Sequence, residues 1–195
     1  MPIEVAAVLA IAVIPWPERI PVALPLIVVA TALRLVRGKS WGELFHGRGA
    51  LIGLLAGLVA LGLGIVLGTP VVEHVADRAV EWSRFPMVRG SVGQLVTVVL
   101  LVAAMTAAVE LALRGWIVER VLELGGHPVI AVMVGGFAEA LLTDGGPTAK
   151  LGGGLFGMGL GWMYVGSGRN LGAPLCARLA FAVGATVLEC ARVIG

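Results

Sequence analysis

Residues 92–118 read VGQLVTVVLLVAAMTAAVELALRGWIV, and this stretch decides the fold of the chain. Its first charged side chain is Glu110, and the uncharged run before it is close to the roughly 20 apolar residues that a membrane-spanning helix needs. The bilayer interior offers no water to backbone N–H and C=O groups, and a helix satisfies these groups within one segment. The stretch therefore predicts a membrane helix.

The composition extends this prediction to the whole chain. Of the 195 residues, 58% are hydrophobic and only 13% are charged, whereas a soluble domain carries about 25% charged residues. So few charges could not cover a globular surface. The net charge of +2 is small, and there is no basic run of the kind that grips phosphates, which excludes nucleic acid as a partner.

Six further apolar stretches are separated by glycine, proline or charged residues. They cover about residues 3–15, 21–36, 50–67, 129–142, 151–165 and 171–193. Residues 71–84 differ, because valines and Trp82 alternate there with charges at helical spacing, which is typical of an amphipathic helix on the membrane surface. We predict an all-α polytopic transmembrane bundle of about 6–8 membrane helices plus this surface helix, with residues 1–195 as a single membrane domain.

Basic residues predict the orientation of the bundle. Arg34, at the end of the second apolar stretch, is followed by Arg37, Lys39 and Arg48, and short loops rich in Lys and Arg stay on the cytoplasmic side. We therefore expect the loop at 34–48 to face the cytoplasm, in a bacterial inner membrane. The first apolar stretch is short enough to be re-entrant, so the side of the N-terminus stays open.

Glycines at a spacing of four residues predict close helix packing. Gly153, Gly157 and Gly161 recur in this way in the sixth stretch of the chain, and Gly64 and Gly68 do so near the end of the third. In a membrane, small residues at this spacing let two helix backbones approach closely. A phosphate-binding loop at residues 152–154 is excluded, because such a loop follows a strand.

Charged residues inside the apolar stretches are costly, and each is by default a functional hypothesis. Glu110 and Arg114 are four residues apart and share one helix face, so they can pair. Arg178 lies well inside the last stretch and needs a partner from another helix, which Glu110 or Glu139 could supply. We predict buried charge pairing among these four residues.

Each kind of hydrolytic site that we can look for in the sequence lacks a required residue. A metal site needs His, Cys, Asp or Glu side chains that converge, but His46, His74 and His127 all lie outside the predicted spans. Ser167 has no histidine placed to activate it. Asp77 and Asp144, the aspartates of the chain, are not deep in any span. We therefore expect neither a metal nor another cofactor.

Three motifs between residues 92 and 190 resemble the CPBP family of intramembrane metalloproteases, which includes CAAX proteases, bacteriocin-processing enzymes and Abi proteins. Residues 109–115, VELALRG, look like the EExxxRG motif of that family, and residues 137–141, FAEAL, stand where its FxxxH motif would be. Residues 157–178 are similar to its glycine-rich helix and to the entry of its HxxxN/D helix. The resemblance implies a CPBP-like core at 92–190, preceded at 1–91 by N-terminal helices and the surface amphipathic segment.

The catalytic positions of that family are altered in this chain. The glutamate that activates water falls on Val109, and the two histidines fall on Leu141 and Arg178. The Asn/Asp position falls on Ala182, so that Glu110 and Arg114 alone remain of the motifs. Apolar side chains cannot bind a metal, and arginine stays protonated, so no metal-activated water can form. The resemblance therefore implies a pseudo-protease.

These observations favour a non-catalytic scaffold or accessory subunit of a membrane complex. Its partners would be other integral membrane proteins and lipids, in a hetero-oligomer. One alternative is a divergent, active intramembrane metalloprotease that uses Glu110, Glu139 or Asp144. Another is a small transporter, a lipid-binding protein or an immunity-type membrane protein.

Overall fold

The computed structural model describes residues 3–14, 16–17, 20–46, 49–76 and 85–194, and this part of the chain is all-helical, without strands. The predicted all-α class is therefore confirmed. Seven continuous helices occur in the described ranges: α1 (Ile3–Val13), α2 (Ala23–Val36), α3 (Gly49–Leu63, then a π-helical Gly64–Gly68, then Thr69–Ala76), α4 (Val92–Ala112, then a π-helical Leu113–Val118, then Glu119–Glu123), α5 (Pro128–Leu142), α6 (Pro147–Gly166) and α7 (Gly172–Cys190).

Local sequence explains several helix ends. Pro128 and Pro147 each begin a helix, because proline has no N–H to leave unpaired in the first turn and its φ suits a helix. The Ser91 side chain caps α4 by accepting the Gln94 N–H at 3.4 Å. Gly38, with a φ of +66°, ends the turn after α2 in a left-handed conformation that other residues adopt less readily.

Three helices are long and apolar enough to cross a membrane, namely Gly49–Val71, Val92–Glu123 and Gly172–Cys190. Three shorter apolar helices accompany them, at Ile3–Val13, Ala23–Val36 and Pro128–Leu142. Many leucines and valines on the outer face of α3 are more than half exposed, for example Leu51, Leu55 and Val59. Extended apolar surface of this kind is unusual on a soluble monomer and suits contact with lipid. The number of 6–8 spans stays a prediction.

The predicted end of the third helix is wrong. We expected Gly68-Thr69-Pro70 to stop the helix, but it continues through a π-helical turn to Ala76. Pro70 has no N–H for the helix, and in the π-helical turn before it the Thr69 N–H and hydroxyl both donate to the Gly64 carbonyl, the hydroxyl at 3.2 Å. The start of the predicted surface helix is thus an extension of α3, and residues 77–84, which would complete it, lie outside the described residues.

The most extensive contact between described helices joins α3 to α7, which belong to the predicted N-terminal part and to the predicted 92–190 core. Gly53 packs on the Ala173 backbone and Gly57 on the Ala177 backbone, so closely that a Cβ at either glycine would overlap the alanine carbonyl oxygen. Gly49, one turn earlier, lies against the Asn170 side chain. These glycines have the same four-residue spacing that we noted elsewhere in the chain, but the sequence reasoning missed them.

The glycines named from the sequence lie in different environments. On α6, Gly157 and Gly161 lie against Glu139 and Val132 of α5, and a Cβ would approach these side chains to 2.6 and 3.3 Å. Gly153 lies against Thr143, just beyond α5. By contrast, Gly64 and Gly68 bound the π-helical turn of α3, and a Cβ at Gly68 would meet only the Leu63 carbonyl of its own helix, at 3.9 Å. Within the described residues, no other helix lies within 4 Å of a Cβ at Gly68, and the packing expected at Gly64 stays a prediction.

Helices α1 and α2 form an antiparallel hairpin against α4 and α5. Val5, Val8 and Leu26 pack in one fully buried cluster with Leu113 and Ile117 of α4. Glu4 forms ion pairs with Arg37 and Arg120 at 3.7 and 2.8 Å. The start of α1 therefore lies at the same end of the bundle as the loop after α2. If that loop faces the cytoplasm as predicted, the start of α1 faces the cytoplasm too.

The contact between α3 and α7 predicts a sharp difference between two glycines of α3. Gly57→Ala should destabilise the protein by about 2 kcal/mol, since the added methyl group overlaps a backbone carbonyl, and should lower the melting temperature in detergent by roughly 5 °C. The matched control is Gly62→Ala, whose Cβ has open space around it and which should be neutral or slightly stabilising. Equal melting temperatures for the two variants would contradict the contact.

Candidate functional site

A network of ion pairs lies in the interior of the bundle, between α4, α5, α6 and α7. It consists of Glu110 and Arg114 from α4, Glu139 from α5 and Arg178 from α7. The two carboxylates and Arg114 are buried. The sequence singled out these four residues, and the structure brings all of them together.

Arg114 is completely enclosed, as Glu110 is, and both side chains are 0% exposed. Its Nη1 lies 3.1 Å from Oε1 of Glu110 and 2.7 Å from Oε2 of Glu139. Its Nη2 donates to the Gly157 carbonyl of α6 at 2.7 Å. This last bond depends on the glycine, because a Cβ at Gly157 would lie 3.1 Å from the same Nη2. One guanidinium thus joins three helices.

Arg178 also contacts both carboxylates, although we expected a bond to one of them. Its Nη1 lies 2.8 Å from Oε1 of Glu110 and 2.8 Å from Oε2 of Glu139, and its Nη2 lies 2.5 Å from Oε1 of Glu139. The pair with Glu139 is bidentate, the arrangement in which guanidinium and carboxylate bind most specifically. The Arg178 side chain is 19% exposed, so the network reaches the edge of the bundle on this side.

The network has no net charge, since two guanidinium groups face two carboxylates. Each carboxylate contacts both arginines, so every charge has opposite charges beside it. A buried charge that loses its partner costs several kcal/mol, and a low-dielectric interior raises this cost. Arg114 Nε and Glu110 Oε2 are buried without a hydrogen-bond partner. The four charges therefore balance one another as one unit and not as two separate pairs, although these two atoms lack a hydrogen bond.

A π-helical turn shapes the segment of α4 that carries Arg114. It covers Leu113–Val118, and such a turn, which is common at functional sites, leaves backbone carbonyls without their usual helical partner. Arg34 of α2 donates through Nη1 to the Gly115 carbonyl at 3.0 Å and through Nη2 to the Ser40 carbonyl at 2.6 Å. Its guanidinium also lies 4.8 Å from the centre of the Trp41 ring, a favourable cation–π distance.

Arg34 is a structural residue that the sequence reasoning missed. It was assigned to a cytoplasmic loop, but it lies in α2 and is 2% exposed. The available signal was its position inside the apolar stretch 21–36, where it is the only charged residue. A charge in such a stretch needs a partner, just as Arg178 does.

A second polar cluster joins α4 to the turn between α6 and α7, and it too was missed. The Tyr164 hydroxyl donates to Glu119 at 2.6 Å, and Arg169 lies 3.5 Å from the same carboxylate. The Asn170 side chain accepts the Gly172 N–H at 2.9 Å and donates to the His46 carbonyl. This cluster fixes the start of α7, the helix that carries Arg178.

The other positions taken from the CPBP motifs lie in apolar or backbone contacts. Val109 packs against the buried cluster formed with α1 and α2. Leu141 lines an open cavity of about 470 Å³ that Trp16 and Asp144 also border. The Ala182 carbonyl accepts the Thr186 hydroxyl at 2.9 Å. Within the described ranges, no three His, Cys, Asp or Glu side chains form a group that could hold a metal ion.

Comparison of the chain with family models and curated proteins, and of its structure with solved structures, finds no match. The likeness to the CPBP family therefore stays a prediction that rests on the sequence motifs.

The shared contacts within the network predict that its members are energetically coupled. Glu139→Gln leaves two buried arginines with one carboxylate and should destabilise the protein by about 3–5 kcal/mol, which corresponds to roughly 10 °C in melting temperature. Arg178→Met should have a similar effect. The double variant removes one charge of each sign, so its loss should be smaller than the sum of the two single losses by about 2 kcal/mol.

The control for this double-mutant cycle is Asp144→Asn, which removes an exposed carboxylate beyond the end of α5 and should change the melting temperature little. Additive losses in the cycle would show that Glu139 and Arg178 do not interact in the membrane protein.

Proposed function

We propose that this chain is a non-catalytic integral membrane protein, a CPBP-like pseudo-protease that acts as a scaffold or accessory subunit of a membrane complex. The observation that carries the proposal is the position of Arg178. On the motif alignment it replaces a metal-binding histidine of the protease family, and its guanidinium binds both Glu110 and Glu139. An arginine thus occupies the place that the metal would take.

The chemistry of the network argues against metal binding. A divalent cation would need lone pairs that the two guanidinium groups already use, and it would sit beside two fixed positive charges. Arginine cannot relieve this repulsion by losing a proton, because its guanidinium group stays protonated in proteins. Without the metal, no bound water gains the lowered pKa that makes it a nucleophile.

The proposed membrane location follows from the three long apolar helices and their exposed side chains. The shorter helices α1, α2 and α5 complete the proposed bundle of 6–8 spans. The loop after α2 faces the cytoplasm of a bacterial cell in this arrangement, by the distribution of basic residues. The start of α1, which pairs with this end of the bundle through Glu4, faces the same side.

The outer face of α6 supports a role in contact with other membrane helices. Gly152, Gly159 and Gly166 recur there every seven residues, and a Cβ at any of them would have nothing within 4 Å. Trp162 lies on the same exposed face. Small residues in such a position allow a second helix to approach closely, whereas Gly157 and Gly161 on the inner side are already used by α5.

Metal analysis tests the absence of catalysis. The protein purified in mild detergent and dialysed against zinc should contain less than about 0.1 metal ion per chain, because the carboxylates are held by arginine. Glu139→Gln should have the same low content. Stoichiometric metal that disappears in Glu139→Gln would overturn the proposal and would favour the divergent protease.

Purification from the native membrane tests the role as a subunit. We expect a defined membrane protein to co-purify with the chain, and Gly159→Leu should abolish the association because a larger side chain fills the helix-contact face. Gly62→Leu, at an equally open position on α3, is the matched control and should keep the partner. Recovery of the chain without any other protein, in nanodiscs prepared from the native membrane, would contradict the scaffold role.

A further inference from the structure

Three short apolar helices lie side by side on one side of the bundle. They are α1, α2 and α5, which contain 11, 14 and 15 residues, and α1 contacts both of the others. At about 1.5 Å per residue, these helices are about 17, 21 and 23 Å long. The hydrocarbon core of a typical bilayer is about 30 Å thick. Each of the three helices is therefore roughly 7–13 Å shorter than the layer that it would have to cross.

Charged side chains mark one end of the three helices, here named the charged end. Glu4 of α1 forms ion pairs with Arg37 and Arg120, and Glu123 forms ion pairs with the same two arginines. All four side chains are partly exposed, and α5 begins shortly after Glu123. Charged groups are costly in hydrocarbon, so the hydrocarbon core begins beyond this cluster.

Polar groups also mark the opposite end of the three helices, here named the turn end. Trp16 after α1, Val22 before α2 and Asp144 after α5 border one open cavity, so the three helices have their turn ends at the same level. Asp144 is exposed and has no ion pair with the described residues, and its carboxylate therefore needs water. Tryptophan is typical of the membrane–water interface. The hydrocarbon core ends before this level.

The surface between the charged end and the turn end is apolar. Val13, Val28 and Phe137, one from each helix, are all more than half exposed. The other side of the bundle is taller, because the apolar part of α3 has 23 residues and α7 has 19, which gives about 35 and 29 Å. The apolar surface thus has nearly the height of a full bilayer at α3 and α7, and much less at α1, α2 and α5.

We infer that this protein thins the bilayer beside α1, α2 and α5, and that this side fits lipids with short acyl chains. A bilayer adapts to a short apolar surface by thinning, at a modest cost per ångström. The alternative, a hydrocarbon layer of full thickness, would cover the Asp144 carboxylate or the ion pairs of the charged end, which is more costly. The inference rests on the membrane location proposed above, and it is independent of whether the protein is catalytic.

Cysteine labelling of the full chain in phosphatidylcholine nanodiscs tests the inference, with a membrane-impermeant maleimide as the reagent. Ile3→Cys and Ile14→Cys replace exposed side chains near the two ends of α1, about 17 Å apart along the helix. Both should react at least about tenfold faster than Val28→Cys, an exposed position within α2, because only the helix ends reach water in a thinned bilayer. The unmodified chain, with its free Cys176 and Cys190, gives the background rate.

The labelling pattern separates the inference from the membrane location. Slow labelling of Ile14→Cys would show that hydrocarbon covers the turn end, and it would overturn the inference. Val59→Cys, at an exposed position on α3, is the control for the membrane location and should stay protected. Fast labelling of Val28→Cys with Val59→Cys protected would overturn the inference alone, whereas fast labelling of both would overturn the membrane location as well.

Bilayers of different thickness test the fit to short lipids. The melting temperature of the unmodified protein is measured in nanodiscs of phosphatidylcholine with acyl chains of roughly 14, 18 and 22 carbons. It should fall by roughly 5 °C from the shortest to the longest chains, since the thicker bilayer must be thinned further. A melting temperature that is constant or rises with chain length would overturn the inference.

Discussion

The guanidinium–carboxylate network of Glu110, Arg114, Glu139 and Arg178 is the constraint on which the interior of this protein depends. Removing a charge from water is costly, and the cost is met only when opposite charges lie in direct contact. The four side chains come from three helices, so their contacts define the rotation of α4, α5 and α7 about their own axes. Gly157 belongs to the same constraint, since its missing side chain leaves room for Arg114 and exposes the carbonyl that Arg114 binds.

The network also connects the structure to the proposed lack of catalysis. Buried carboxylates are the groups that an intramembrane metalloenzyme needs for its metal and its general base. Here both carboxylates contact two arginines that stay protonated, and in the proposed pseudo-protease they serve the specific packing of the helices. The polar clusters around Arg34 and Glu119 lie nearer the end of the bundle that carries the loop after α2, where they bind the π-helical turn of α4 and the start of α7. We place contact with partners and lipid on the outside of the bundle.

Much of the fold could be predicted from the sequence, because the burial of apolar residues and the effect of proline are local. The apolar stretches gave the all-helical class, and Pro128 and Pro147 begin helices as their geometry requires. The predicted break at Pro70 failed, since the chain continues through a π-helical turn at Gly64–Gly68 into Thr69–Ala76. Glycine spacing was a poorer guide, because Gly53 and Gly57, which pack on the α7 backbone, have the same spacing as Gly68 and Gly64, and a Cβ at Gly68 would meet no other described helix.

The sequence by itself determined that charges lie inside apolar helices and must find partners, because the cost of desolvating Arg178 does not depend on what surrounds it. It also determined which carboxylates are available. Only the tertiary structure decided that Arg114 and Arg178 each bind both carboxylates and that Arg34 donates to the Gly115 carbonyl. It also decided which glycines of α3 pack against α7. The physical reason is that these contacts join residues far apart in the chain, and they depend on the relative rotation and depth of helices that no local pattern encodes.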